Sequence, residues 1–286
     1  MELRSLSNRR FVNNPWLTII ILIGTIIVSN SLIVLSNEAT RYFFTNFTIN
    51  SQSIVCPAAA GALSLSIIAL ISAYRYGINR VLFRAQLVFA AGLAVWLVAE
   101  FTWLYYQIFL NIATPFPSPA DAFWLSGYGF FIYFMFSIYN LLNKGSERYL
   151  VILVSFAAAI IMGYVLYLTF GIADLLSAQE GSLAWVISVT YPILDGILLI
   201  PAVLVLWSLR GRNIVSANWS LLALSIVLVT VADLGFGYSA VLDKAGKEEW
   251  IWDLFYNSSY LVMAAAFFLS SRIYSLQPQK VKTINL

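Results

Sequence analysis

The sequence predicts an all-α integral membrane protein of eight transmembrane helices, arranged as a 4+4 parallel internal repeat. Three observations carry this. Of 286 residues, 61% are hydrophobic and only 10% are charged, and the mean hydropathy is +0.84, outside the range of soluble domains. The apolar residues fall in continuous runs near the ~20 residues that span a bilayer, which selects helices because hydrocarbon offers a free backbone group no partner. Short motifs then recur at a nearly constant offset.

Taken in order, the first span, 16 to 36, follows Arg4, Arg9 and Arg10, and no small-residue cleavage site follows it. It reads as a retained signal anchor. The second, 54 to 74, carries small residues at Ala58 to Ala62 and closes on Arg75. The third, 85 to 110, follows Arg80 and Arg84 and carries Glu100. The fourth, 122 to 142, opens on Ser118, Pro119 and Asp121, which supply an N-cap, a proline at N1 and an acid at N3. The fifth, 149 to 170, has a small-residue stretch from Ala157 to Gly163, suited to close helix contact. The sixth, 183 to 207, contains Tyr191, Pro192 and Asp195; the seventh, 217 to 240, contains Asp233; the eighth, 250 to 271, contains Asp253.

Basic residues set the orientation. With these spans, 13 of the 16 Lys and Arg fall on one side, and only Arg41, Lys244 and Lys247 on the other. The positive-inside rule places both termini in the cytoplasm of a multi-pass cell-membrane protein. The net charge of +3 then reports topology, and no nucleic-acid partner is expected; the lipid bilayer is. Asn46-Phe47-Thr48 is a glycosylation sequon in the first outer loop.

The repeat shows in paired motifs. "AEFTWLY" (Ala99 to Tyr105) and "ADLGFGY" (Ala232 to Tyr238) share Ala-acid, an aromatic at +3 from the acid and tyrosine at +5. "DAFWLSGY" (Asp121 to Tyr128) and "DLFYNSSY" (Asp253 to Tyr260) share Asp, Phe at +2, an aromatic at +3, Ser at +5 and Tyr at +7. With "PAAAG" (Pro57 to Gly61) and "PILDG" (Pro192 to Gly196), and with Arg75 and Arg210, all offsets lie between 132 and 135. Four spans per copy give both copies the same orientation. The expected units are residues 1 to 145 and 146 to 272, with a cytoplasmic tail from 273 to 286.

Ionisable residues inside a membrane are functional candidates by default. Glu100, Asp195 and Asp233 lie about 15, 18 and 10 Å from the outer ends of their spans at 1.5 Å per residue. Trp96, Glu100, Trp103 and Gln107 share one helical stripe, and Tyr191 precedes Asp195 by one turn. Tyr238 follows Asp233 at +5. No Lys, Arg or His lies within a span, which leaves the acids protonation, hydrogen bonds to Tyr, Trp or Asn, or a bound cation. The candidate ligand- or cation-binding residues are thus Glu100, Asp195, Asp233, Trp103, Tyr191 and Tyr238, with a purely structural acid–tyrosine hydrogen bond as the competing account. Asp121 and Asp253 read as helix caps that oppose the dipole.

Absences narrow the function. The chain has no histidine, which removes bis-histidine haem ligation, His-Glu-x-x-His zinc proteases and histidine proton relays. A lysine-free interior removes a retinal Schiff base, so no cofactor is expected. Cys56 stands alone and excludes an internal disulfide. With no P-loop and no large soluble segment, a non-enzyme is expected.

"PSPADAFWLSGYGFFIYFMF", "YPILDGILLIPAVLVLW" and the stretch from "ADLGFGYSAV" to "WIWDLFYNSSYLVMAAAFF" resemble the multi-span input region at the N-terminus of some prokaryotic membrane diguanylate cyclases and sensor kinases. The resemblance covers spans 3 to 8 and implies a sensory or ligand-binding membrane module, with Asp121, Tyr128, Tyr191, Pro192, Asp195, Asp233 and Asp253 at matching positions. No output domain follows Arg272, so the resemblance implies a separate signalling partner. The leading expectation is a sensory protein whose outward-opening acidic–aromatic cavity binds a cation or small polar ligand. A proton- or cation-coupled transporter and a structural subunit of a membrane complex are the alternatives.

Overall fold

The computed structural model describes residues 15–36, 51–112, 116–142, 148–179, 181–210, 217–241 and 245–276. Eight helices follow one another among them: α1 Pro15–Ser36, α2 Gln52–Tyr76, α3 Arg80–Phe109, α4 Pro119–Leu142, α5 Arg148–Gln179, α6 Gly181–Leu209, α7 Ala217–Val241 and α8 Ala245–Leu276. Each is long and apolar enough to cross a membrane, and the chain is a multi-pass membrane protein. Arg4, Arg9, Arg10, Arg41, Lys144, Arg212, Lys244, Lys280 and Lys282 lie outside the described residues, as do Asn46 and the boundary expected near 145.

Several helices overrun the predicted spans, because hydropathy marks where a helix is apolar and not where its hydrogen bonds stop. α3 begins at Arg80, five residues before the apolar run, since the Asn79 side chain caps it by accepting from the Val81 N–H at 2.8 Å. Gly77 ends α2 with φ 63°, a left-handed conformation that glycine adopts without a side-chain clash. α8 continues to Leu276, past the tail boundary expected at 273.

Six helices close a ring. α2 packs on α3, α3 on α4, α4 on α6, α6 on α7, α7 on α8, and α8 back on α2. α1 lies outside the ring against α8, and α5 outside it against α6. Their outward residues, among them Ile20, Ile23 and Ile27 on α1 and Ile152, Phe156 and Ile160 on α5, are apolar and exposed, as a lipid-facing surface must be. Polar contacts fasten α1: Asn257 Nδ2 donates to Asn30 Oδ1 at 2.7 Å and to Ser29 Oγ at 2.8 Å, and Asn30 Nδ2 donates to Ser258 Oγ at 2.9 Å.

Lipid tails are as apolar as leucine, so packing between these helices rests on dispersion and hydrogen bonds more than on a hydrophobic gain. Phe89 meets Phe131, Phe134 and Phe267 edge to face with centroids 4.7 to 5.3 Å apart. Ala58, Ala59 and Ala62 of α2 are buried, as expected for a helix that its neighbours approach closely. The small stretch of α5 behaves differently: Ala157, Ala159 and Gly163 face outward and only Ala158 is buried. The small residue in the α5–α6 contact is Gly196, where an added Cβ would sit 3.0 Å from Met162 Sδ.

Candidate functional site

Toward the end of the bundle that carries the α3–α4 turn, four helices meet at one carboxyl. Glu100 of α3 is 4% exposed. Its Oε1 accepts from Tyr260 of α8 at 2.6 Å and from Trp124 Nε1 of α4 at 3.2 Å. Its Oε2 accepts from Gln52 Nε2 of α2. Three neutral donors therefore converge on one carboxyl, and such bonds are strongest when the carboxyl is ionised.

The indoles of Glu100's own stripe are buried but do not donate to it. The Trp96 N–H goes to the Trp124 carbonyl at 2.9 Å. Trp103 packs against Trp124 and Phe236, with centroids 5.3 and 6.5 Å away. A stripe places side chains on one face; the donors come from the three helices opposite.

Across the ring, Asp233 of α7 has a matching arrangement. Its Oδ1 accepts from Tyr256 of α8 at 2.5 Å and its Oδ2 from Tyr128 of α4 at 2.8 Å. The same Tyr128 oxygen lies 2.7 Å from Asp195 Oδ1 of α6. Asp195 and Asp233 are also within hydrogen-bonding reach of each other. Tyr128 is 1% exposed and Asp195 1%, whereas Asp233 is half-buried. Asp195 Oδ2 is buried and finds no hydrogen-bond partner among the described residues.

The remaining candidates are distributed around this centre. Tyr191, one turn from Asp195 on α6, turns its hydroxyl to Asp121 Oδ1 at 3.0 Å instead. Asp121 Oδ2 accepts from the Ser118 N–H at 2.7 Å while Ser118 Oγ accepts from the Ala120 N–H at 3.2 Å, so the residue serves the start of α4 and α6 at once. Asp253 is no terminal residue: α8 starts at Ala245, and the carboxyl, inside the helix, accepts from the Ser51 hydroxyl. The apolar run alone set the earlier expectation of a helix start there. Tyr238 is exposed and lies apart from the carboxyl contacts described above. The structure sets phenol and indole donors directly on the carboxyls.

Sequence reasoning passed over Ser51, Gln52, Trp124, Tyr256 and Tyr260 as site residues. The last three were visible as the +3 and +7 positions shared by "DAFWLSGY" and "DLFYNSSY". Residues four apart on a helix share a face, and that face supplies the donors for acids on the neighbouring helices. Gln52 had no such signal, because it lies before the apolar run of its helix.

Chemically, the network can hold and pass protons between carboxyls and phenols. Among the described residues no three His, Cys, Asp or Glu side chains are arranged to hold a metal ion. Compared with known protein families, curated proteins and solved structures, the chain matches none. Fold and site together make it a multi-pass membrane protein with buried acids set in an aromatic cluster.

Proposed function

We propose that this chain is a non-enzymatic membrane protein of sensory, ligand-binding type, with both termini cytoplasmic, in which a small cationic or polar ligand acts at the acid–tyrosine network from the outer side. Ligand uptake at the acids shifts the packing of one four-helix half on the other.

The observation that carries this reading is reciprocal. Tyr128, in the first half, donates toward Asp233 in the second, and Tyr260, in the second half, donates to Glu100 in the first. Within each half the second donor is local: Trp124 for Glu100 and Tyr256 for Asp233. The ring contacts follow the same rule, since α2–α3, α3–α4 and α8–α2 exchange with α6–α7, α7–α8 and α4–α6 when the halves are swapped. These ring pairings support the 4+4 repeat with units 1 to 145 and 146 to 272, in which only the outer helices α1, on α8, and α5, on α6, do not exchange, and they make the interface between the halves the place where an acid's state is felt. The motif resemblance to sensory input regions points the same way.

The test is thermal stability of the reconstituted chain across pH and a panel of monovalent and divalent cations. The wild type gains stability with one of them, and neutralising Asp195 and Asp233 together abolishes the gain. Melting that is indifferent to every ion and to pH sinks the reading.

One observation favours a second reading, a proton- or cation-coupled transporter. Asp195 lies in the middle of α6, where the first half has Ala60, so the two halves differ at one membrane-interior acid. Flux into proteoliposomes that disappears with Asp195→Asn would select this reading over the sensory one.

A further inference from the structure

The Tyr128 hydroxyl touches two carboxyls and owns one proton. Its oxygen is 2.7 Å from Asp195 Oδ1 and 2.8 Å from Asp233 Oδ2. A phenol donates once, so one of these contacts is a hydrogen bond only if a carboxylic acid supplies the hydrogen and the phenol oxygen accepts it. If both acids were ionised, one contact would be oxygen against oxygen, and two like charges would share the site.

The surroundings decide which acid carries the hydrogen. Asp233 accepts on both oxygens, from Tyr256 and Tyr128, which suits the ionised member. Asp195 has one hydrogen-bond contact to a hydroxyl and lies within reach of the Asp233 carboxyl, and its Oδ2 finds no partner among the described residues although the residue is 1% exposed. An ionised carboxylate stranded in this way is far more costly than the carbonyl oxygen of a neutral acid. The hydrogen bonds then run in one direction: Asp195 Oδ1–H to the Tyr128 oxygen, Tyr128 O–H to Asp233 Oδ2, and Tyr256 O–H to Asp233 Oδ1.

Among the described residues no cationic side chain faces the pair. The titratable groups that face it are Tyr128 and Asp121 from α4, Tyr191 from α6, Tyr256 and Tyr260 from α8, and Glu100 from α3, all of them acids or phenols. The described tyrosines of α5, Tyr149, Tyr164 and Tyr167, are exposed on the outside of the bundle.

We propose that Asp195, Tyr128 and Asp233 form a proton-binding site in which Asp195 stores the proton, Tyr128 relays it and half-buried Asp233 is the port. Transfer balances without a co-reactant. Asp195 gives its proton to the Tyr128 oxygen as Tyr128 gives its own to Asp233, which leaves Asp195 ionised, the phenol intact and Asp233 neutral. Glu100 needs no such proton, because its three donors satisfy both oxygens. The proposal rests on reading the network as a ligand site, and it names the ligand as a proton.

Infrared difference spectroscopy on the whole chain in liposomes tests it, with exchange into heavy water to mark protonated carboxyls. The wild type shows a protonated-carboxyl carbonyl band at neutral pH that is lost in Asp195→Asn, shifts in Tyr128→Phe and survives in Glu100→Gln. A wild-type spectrum with no protonated-carboxyl band overturns the proposal, and so does a band unchanged by both Asp195→Asn and Tyr128→Phe. If the band is absent while a metal cation still raises the melting temperature, the proton site falls and the sensory reading stands. If the band behaves as described while melting ignores every ion and pH, the proton site stands and the sensory reading falls.

Discussion

Tyr260 of α8 donates its hydroxyl hydrogen to Glu100 of α3 at 2.6 Å, across 160 positions of sequence. Tyr128 of α4 stands in the same relation to Asp233 of α7 at 2.8 Å. The two tyrosines also flank one indole, with ring centroids 5.9 and 6.4 Å from Trp96. The site is therefore a joint between two regions of the chain, and each tyrosine is a tie across it.

The two ties are not of equal worth. Tyr260→Phe leaves Glu100 with Trp124 and Gln52, so the loss should be near the average interhelical hydrogen bond in a membrane, about 0.6 kcal/mol. Tyr128→Phe strips Asp195 of its one hydrogen bond to a hydroxyl and takes one from Asp233, and a buried polar group left unpaired costs about 1–3 kcal/mol. Equilibrium unfolding in mixed micelles should rank Tyr128→Phe as the more damaging change.

Glu100 should tolerate an amide but not a hydrocarbon. In Glu100→Gln the side-chain oxygen still accepts from Tyr260 and Trp124, and Gln52 can turn its own oxygen to the new amide. Glu100→Leu strands three donors inside the bundle, at about 1–3 kcal/mol for each that finds no substitute. The same unfolding assay should give a small loss for Gln and a loss of several kcal/mol, or failure to accumulate in the membrane, for Leu.

Glycines two residues apart should respond in opposite ways. A Cβ at Gly127 would lie 2.2 Å from the Trp96 ring, which is buried and held by its bond to the Trp124 carbonyl. A Cβ at Gly129 meets nothing within 4 Å. Gly127→Ala should cost about 1–3 kcal/mol through overpacking, while Gly129→Ala should be neutral or stabilising by helix propensity. Gly235 and Gly237 form a second such pair, since a Cβ at Gly235 would lie 2.1 Å from Trp252. Melting temperatures of the four variants check both.

α1 should depend on its polar anchor. Asn257 is fully buried and reaches both Ser29 and Asn30, and its loss leaves α1 one polar tie to α8, from Asn30 to Ser258. With a protease site inserted between residues 37 and 50, α1 of the cleaved wild type should copurify with the remainder, and α1 of cleaved Asn257→Ala should be lost. Equal retention in both would show that packing on α8 suffices.

Much of the fold was legible because the bilayer makes composition decisive: eight apolar runs became eight helices. Their ends were less legible, since Asn79 and Gly77 act through hydrogen bonds and φ, which hydropathy does not register. The acids Glu100, Asp195 and Asp233 stood out because charge is rare between the membrane faces. Their partners did not, because a tyrosine in a membrane protein is usually an interfacial anchor, and only the ring arrangement of α3, α4, α7 and α8 reveals that Tyr128 and Tyr260 point inward while Tyr238 does not. Tyr191 shows the limit of helical spacing: one turn from Asp195, it bonds to Asp121 on another helix.

The central claim is that the state of Asp195 and Asp233 sets how the two halves pack. Spin labels on α4 and α7 near Tyr128 and Asp233, read by pulsed dipolar spectroscopy in liposomes from acid to alkaline pH, test it most directly. The account predicts an inter-label distance that shifts with pH in the wild type and stays fixed in Asp195→Asn/Asp233→Asn. A wild-type distance that does not change over the whole range would contradict it.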